Sequence, residues 1–404
     1  MMRYVQFAVC AVVVGFAATR ASVAAPNTAL WEGEHLASLR ENLPLDDPKY
    51  KEVLKRLRKN AEICVKRGPY SVMDKKEVAA SGDRHDYLSY ARYWWPNPKT
   101  ADGLPFVRRD GRTNEEILKQ GDREIIGALY EDLETVALAG YLFNDDRYND
   151  HAALLVRTWF LDPATRMNPH MKYGQAIPGR NDGRGSGIID TRYFVRVLDA
   201  VRLLEESDSW TEADSDAMRQ WMSDYLQWMM TSPAGHDERS GNNNHGSWFD
   251  AQAAGLALFV GDRALAKQII EEAKQRRIKA CIEPDGSQPE EMKRTKSLHY
   301  CVFNLSAISV LARLGESVDV DLWGYESRDG RSIRRGLDFV TPYLLGDQEW
   351  KHEQIDDLKF SPSDGGLFYM AARRYHEPRF HHAYREDQRK LPKYEYTRLL
   401  FASE

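Results

Sequence analysis

A pair of helices joined by a short polar turn occurs twice in this chain, and that repetition limits the possible folds more than any other feature. Residues 133–143 read as one apolar-periodic helix, N-D-D interrupts it, and 148–160 resume the pattern. Later, 251–260 run into G-D-R and are followed by 264–277. The copies align with Ala139-Gly140 on Ala254-Gly255 and one inserted residue. A unit of this kind cannot bury its apolar face alone, so its recurrence predicts helical hairpins assembled into a stacked or closed α/α array. Strand signals are weak throughout, which excludes an α/β sheet.

Other segments fit the same plan. Residues 34–67 read as helix broken at Pro44 and Pro48, and 193–204, 291–314, 333–345 and 366–375 add more. Met218, Trp221, Met222, Tyr225 and Met229 keep helical spacing, and Thr211 with Asp214 marks a helix start. No stretch reads as an interdomain linker. The irregular regions are 85–114, 167–190, 233–247 and 346–364, and the first is too aromatic to be disordered.

The chain opens with Arg3, an apolar run over 5–18, and small residues before Pro26, the parts of a secretory signal peptide. Residues 1–25 are therefore expected to be cleaved, giving a secreted or periplasmic protein whose single domain spans 26–404. Removing Arg3 and Arg20 takes the formal charge from −5 to −7, so no general attraction to nucleic acid or to an anionic membrane is expected. An acidic ligand would need a local basic cluster. Cys64, Cys281 and Cys301 are too few and too scattered for a disulfide framework, and buried thiols are expected.

Residues 238–250, E-R-S-G-N-N-N-H-G-S-W-F-D, suit neither helix nor strand. Asparagine amides beside a histidine could stabilise an anion while a proton moves next to it; the competing reading is an Asx-rich turn capping the next helix. The loop 173–187 is glycine-rich and carries Gln175, Arg180 and Arg184 but lacks the G-K-[ST] ending of a phosphate loop. No H-E-x-x-H or G-x-S-x-G occurs, and His236, His245 and Asp237 match no metal-site template, so neither a catalytic metal nor serine hydrolysis is expected. In E-E-M-K-R-T-K-S-L-H-Y, residues 290–300, a continuous helix would set Arg294 and Tyr300 about 120° apart, with Lys293, Lys296 and Ser297 on the tyrosine's side. That segment offers either a cation and phenol pair or a plain solvated basic face.

N-N-N-H-G-S-W, followed about fifty residues later by R-T-K-S-L-H-Y, resembles the pairing found in the alginate lyase superfamily of α/α-barrel polysaccharide lyases. Y-W-W-P-N-P, G-L-P-F-V-R-R-D-G and A-I-P-G-R-N-D-G-R-G-S-G-I-I-D look like the same group, nearest to polysaccharide lyase family 38 and related to family 5, over nearly the whole chain from Trp31. The resemblance implies an all-α, incomplete (α/α) barrel or toroid of about six to seven helical hairpins. It also implies metal-independent and cofactor-free β-elimination on a 4-linked polyuronate, alginate or glucuronan, with Asn244, His245, Arg294 and Tyr300 catalytic. Trp94, Trp95, Gln175, Arg180 and Trp248 are the candidates for sugar stacking and carboxylate contacts. Two departures stand out: Gly246-Ser247-Trp248 replaces S-Y-W, and the spacing from Arg294 to Tyr300 is one shorter than in family 5, which makes Lys293 the alternative to Arg294. The rival readings are a glycoside hydrolase using two of Glu238, Asp250, Glu290 and Glu353, and a non-catalytic glycan-binding protein.

Overall fold

The computed structural model describes residues 24–358, 360, 362–385, 393 and 395–402. The segment read as a signal peptide lies outside the described residues up to position 23. From the N-terminus come α1 (Gly33–Glu41) and α2 (Lys51–Cys64), then, past the aromatic stretch, α3 (Glu115–Leu118), α4 (Arg123–Phe143) and α5 (Asp146–Val156). The middle of the chain forms α6 (Phe194–Leu204), α7 (Glu212–Thr231), α8 (Pro233–Ser240), α9 (Asn244–Val260), α10 (Arg263–Ala273), α11 (Pro289–Met292) and α12 (Ser297–Glu316). The last third supplies α13 (Ile333–Leu345), α14 (Pro362–Tyr375), α15 (Pro378–Arg385) and α16 (Thr397–Leu400).

A row of helices, α4, α6, α9, α12 and α14, runs through the molecule with each touching the next. A second layer covers it: α2 and α5 lie on α4, α7 and α10 on α9, α13 on α12, and α15 on α14. The row's two ends are bridged by contacts from α14 to α16, α16 to α1 and α1 to α4. The result is an incomplete (α/α) toroid, as the helical repeat and the family resemblance led one to expect. Helices with neighbours on both sides must be apolar all round. Hence α12 is apolar enough in composition to cross a membrane, yet 83% of its most apolar window is buried inside the protein, as befits a core helix. Cys64, Cys281 and Cys301 are buried and unpaired.

The repeated hairpins owe their geometry to local chemistry at the turn. In the first, Asn144 ends α4 in the left-handed conformation and the Asp145 side chain caps α5 by accepting from Arg147 N. In the second, Gly261 ends α9 at φ +89° and the Asp262 side chain accepts from Leu265 N to start α10. A left-handed stop followed at once by an aspartate cap reverses the chain in a few residues. Both second helices then widen into a π-turn, at 157–161 and 274–279, so the internal repeat extends past the aligned motif. Thr211 and Asp214 form the reciprocal capping box expected at the start of α7.

Two expectations need correction. Residues 233–247 are not one irregular loop: Ser232 caps α8, and Asn243 caps α9 by accepting from His245 N. Nor is 290–300 a continuous helix. It breaks between α11 and α12 because tertiary hydrogen bonds outweigh helix propensity there: Ile355 N donates to Thr295 O at 2.9 Å, Ser297 N donates to Glu353 O at 3.0 Å, and Lys296 bridges Gln354.

Among the described residues, strand structure is limited to β1 (Leu88–Tyr90), β2 (Trp94–Trp95), β3 (Val107–Arg108) and β4 (Tyr173–Ala176). β1 pairs in parallel with β4, and β2 pairs with β3 as a hairpin with Trp94 opposite Arg108. These short ladders hold the aromatic and glycine-rich loops against the mouth of the toroid.

Candidate active site

Asn244 and His245 occupy the first turn of α9, and Tyr300 the first turn of α12. Because α9 and α12 are neighbours in the row, these residues meet in one cleft of about 860 Å³. Seven arginine or lysine side chains line it against two acidic ones, in a chain whose overall charge is negative.

The break before α12 turns Arg294 back onto Tyr300. Its Nη2 donates to the Tyr300 hydroxyl at 2.9 Å, and its guanidinium carbon lies 3.9 Å from the ring centroid. Asp110, at the end of the β2–β3 hairpin, holds this arginine through Nε at 3.1 Å and Nη2 at 2.8 Å. Burial would push the Asp110 carboxyl up, but the hydrogen bonds from Arg294 and Arg108 hold it well below the usual range. Lys293, the alternative to Arg294, points to Glu290 at 2.6 Å. Tyr93 completes the cluster, its hydroxyl 3.0 Å from that of Tyr300. Burial and the Tyr93 phenol push the Tyr300 phenol above its ordinary value, opposed by Arg294.

On the α9 side, Glu291 accepts from both the backbone N of Asn244 at 2.6 Å and its Nδ2 at 2.8 Å. One amide hydrogen and the carbonyl Oδ1, which is buried without a partner, are left over. Glu238, at the end of α8, takes the Nδ1 side of His245 at 2.6 Å. Burial alone would lower the imidazole pKa, but the charge and hydrogen bond of Glu238 outweigh it, so His245 is protonated more readily than a free histidine. The α8–α9 turn that brings these groups together is clamped from below. Buried Arg277 donates to Asp250 Oδ2 at 2.6 Å, Gly241 O at 2.7 Å and Arg239 O at 2.8 Å. Gly246 fits only as glycine, since a Cβ there would lie 2.1 Å from Gly241 O and 2.3 Å from Arg277 Nη1. The glycine in place of the serine of S-Y-W thus suits the clamp.

A histidine with a raised folded pKa contributes stability that is full below its unfolded value near 6.5 and lost as pH rises through the higher folded value. Glu238→Gln should therefore flatten the decline of melting temperature just above pH 6.5. An unchanged slope would mean that the carboxylate does not set the charge of His245.

Of the residues proposed to contact sugar, Trp94 and Gln175 line the cleft. Gln175 sits at φ +51°, a strained backbone for a non-glycine residue, with its Oε1 accepting from Arg184 at 2.8 Å. Arg180 stacks on Trp94 at 5.0 Å from outside the lining, and Trp95 lies beside Arg109, also outside it. Trp248 is placed differently from expectation. It is buried in the core behind Phe303, its ring 5.3 Å away, and Phe303 is the one that lines the cleft. The carboxylates considered for hydrolysis do not form a flanking pair: Glu238 is on His245, Asp250 is buried on Arg277 and Arg239, Glu353 is exposed, and only Glu290 lines the cleft.

Sequence reasoning passed over Tyr93, Asp110 and Glu291. Tyr93 and Asp110 lie within Y-W-W-P-N-P and R-R-D-G, motifs already singled out, but nothing in their spacing tells that they reach Tyr300 and Arg294. Glu291 is one of two adjacent glutamates in a polar run, and only the fold distinguishes it from Glu290.

The profile of a family described as "Alginate lyase" matches residues 71–350. The crystal structure of an alginate lyase from Bacteroides ovatus is 36% identical and superposes with a TM-score of 0.87, covering 94% of this chain and 100% of that one. Two structures of alginate lyase A1-III complexed with a tetrasaccharide share the fold at 15% and 18% identity, with TM-scores of 0.60 and 0.59. They cover 95% and 94% of this chain and 98% of each relative. Among curated proteins no match is found.

Proposed function

The chain belongs to the alginate lyase family, and from that premise we propose that it cleaves 4-linked polyuronates, alginate first and glucuronan as an alternative, by metal-independent β-elimination. The observation that carries this reading is the contact of Arg294 with the Tyr300 hydroxyl inside the basic cleft that also holds Asn244 and His245. The A1-III relatives speak for the same ligand class: one variant has histidine replaced by alanine, the other tyrosine by phenylalanine, and each is complexed with a tetrasaccharide.

The hard step is removing the C5 proton beside a carboxylate, because the resulting carbanion spreads its charge into that group as an aci-carboxylate dianion. Donors and cations on the carboxyl group therefore stabilise the transition state more than the ground state. Asn244 offers its remaining amide hydrogen, while His245, favoured as imidazolium by Glu238, adds positive charge. Tyr300 as phenolate takes the C5 proton and, as phenol, returns it to the glycosidic O4. The C4–O4 bond breaks as C4=C5 forms, leaving a 4,5-unsaturated uronate end. When the C5 proton lies on the opposite face of the ring, neutral His245 is the base and Tyr300 the acid. Trp94 stacks on a sugar face, and the arginines lining the cleft meet the other carboxylates. Residues 1–25 act as a signal peptide, so the enzyme works outside the cytoplasm.

The test is the ultraviolet absorbance of the unsaturated product, measured for purified protein against polymannuronate, polyguluronate, glucuronan and uncharged glycans. Absorbance should rise with one or more polyuronates and with no neutral glycan. New reducing ends without that absorbance would sink the elimination and point to hydrolysis.

A further inference from the structure

Four of the seven cations that line the cleft are neutralised by protein carboxylates: Arg108 and Arg294 by Asp110, Arg123 by Asp190, and Lys293 by Glu290. Arg184 is not. Among the described residues no carboxylate lies within ion-pair distance of it, and its side chain bonds only to neutral acceptors of one residue. Nη2 donates to Gln175 Oε1 at 2.8 Å and Nε to Gln175 O at 3.3 Å, and Nη1 has no bond among the described residues. A half-buried guanidinium held by amide oxygens alone keeps its charge unmatched, and burial pulls its pKa below the ordinary arginine value.

The hold on Arg184 is fixed from behind. Gln175, at φ +51°, donates from its backbone N to Ser89 Oγ at 2.8 Å and from Nε2 to Asp190 Oδ1 at 3.3 Å. Ser89 Oγ in turn donates to Asp190 Oδ2 at 2.7 Å, so one buried carboxylate ties down both the backbone and the side chain of Gln175. Close backbone packing within the glycine-rich loop brings Arg184 across: its N donates to Gly174 O at 3.1 Å, and a Cβ on Gly187 would lie 2.4 Å from Gly174 C. A glutamine kept in a sparsely populated backbone region by this many bonds marks a constraint that local folding does not ask for. Arg184 stands on the α9 side of the reacting groups, close enough for its charge to be felt at His245. Arg92 and Arg192, also without a carboxylate among the described residues, stand on the α12 side, where their charges are felt at His299.

We infer that Arg184 receives the carboxylate of a sugar next to the one that loses its C5 proton, with Gln175 the positioning residue that aims it. The cleft thereby selects runs of consecutive uronates over glycans in which uronates alternate with neutral sugars. This deepens the polyuronate reading and rests on it. Asn244 and His245 serve the reacting carboxylate, so a guanidinium committed to no protein acid adds affinity only when a second carboxylate arrives beside it. In a 4-linked polyuronate every neighbour carries one. A neutral neighbour offers only hydroxyl groups and leaves the buried charge unmatched, which is discrimination by an unsatisfied partner.

The experiment is a cycle between enzyme and ligand, read by calorimetric titration in the Tyr300→Phe background so that no ligand is consumed. The two ligands are an oligouronate and a 4-linked oligomer of the same length in which uronates alternate with glucose. Adding Arg184→Gln should weaken the oligouronate about 10–100-fold, as expected for losing one charge-assisted pair, and the alternating oligomer by less than about threefold. Adding Gln175→Gly instead, which suits the left-handed backbone and removes only the side-chain hold, should reproduce part of that selective loss. Equal losses on both ligands in Arg184→Gln would overturn the inference, because they mark a residue that supports the loop without reading the substrate. A Gln175→Gly protein that binds both ligands as its parent does would overturn the positioning role. The lyase reading is tested apart, by the wild type on polyuronates: product formation with equal losses sinks this inference alone, whereas a selective Arg184 loss without any unsaturated product sinks the elimination alone. Failure to bind either ligand, with no product formed, would remove the polyuronate reading and this inference with it.

Discussion

Replacing Tyr300 by phenylalanine should abolish turnover while leaving polyuronate binding almost unchanged. In the proposed elimination the hydroxyl is both the base at C5 and the acid at O4, and general acid–base groups contribute about 10²–10⁴-fold each, so kcat should fall by at least about 10⁴-fold. Binding should survive because the ring stays where it is: Arg294 keeps its two bonds to Asp110 and its position over the aromatic face. The lining cations, Trp94, Asn244 and His245 are untouched. The check is a pair of measurements, absorbance-monitored turnover and calorimetric titration with an oligouronate. A variant with normal kcat and a raised KM would assign the hydroxyl to uniform binding and remove it from the chemistry.

The second large effect lies below the cleft. Arg277→Met should cost about 3–5 kcal/mol, the usual range for removing one partner of a buried ion pair. Arg277 is fully buried and spends all three of its nitrogens, one on Asp250 and two on carbonyls at the end of α8. Methionine fills much of the volume but leaves Gly241 O without this donor and Asp250 with only Arg239 as a charged partner. The melting temperature should drop by roughly 6–20 °C. Activity should also fall below the unfolding range, since the same clamp sets the turn that carries Asn244 and His245. A melting temperature within about 2 °C of wild type would mean that the clamp adds little to stability.

The legible parts of this protein were those with local causes. The aspartate caps at 145 and 262, the box between Thr211 and Asp214, and the apolar periodicity of the row helices act within a few residues of chain, so the hairpins could be read from their letters. The asparagine run was half legible. Its bland reading holds for Asn243, which caps α9, whereas Asn244 and His245 are bound by glutamates from two other elements. Trp248 was misplaced because a tryptophan beside catalytic residues and a tryptophan one helical turn into a buried wall look alike in sequence.

By itself the sequence determined the helical class, the hairpin turns and, through its motif resemblance, which amide, imidazole, guanidinium and phenol to suspect. Only the tertiary structure decided that Arg294 rather than Lys293 lies on Tyr300, that Tyr93 and Asp110 reach across from the hairpin, and that Glu238 sits on the Nδ1 side of His245. The physical reason is separation along the chain: Asp110 and Tyr93 lie 184 and 207 residues from the partners they hold. Hydrogen bonds over such spans form only once packing has assembled the toroid and excluded water, and no local propensity encodes them.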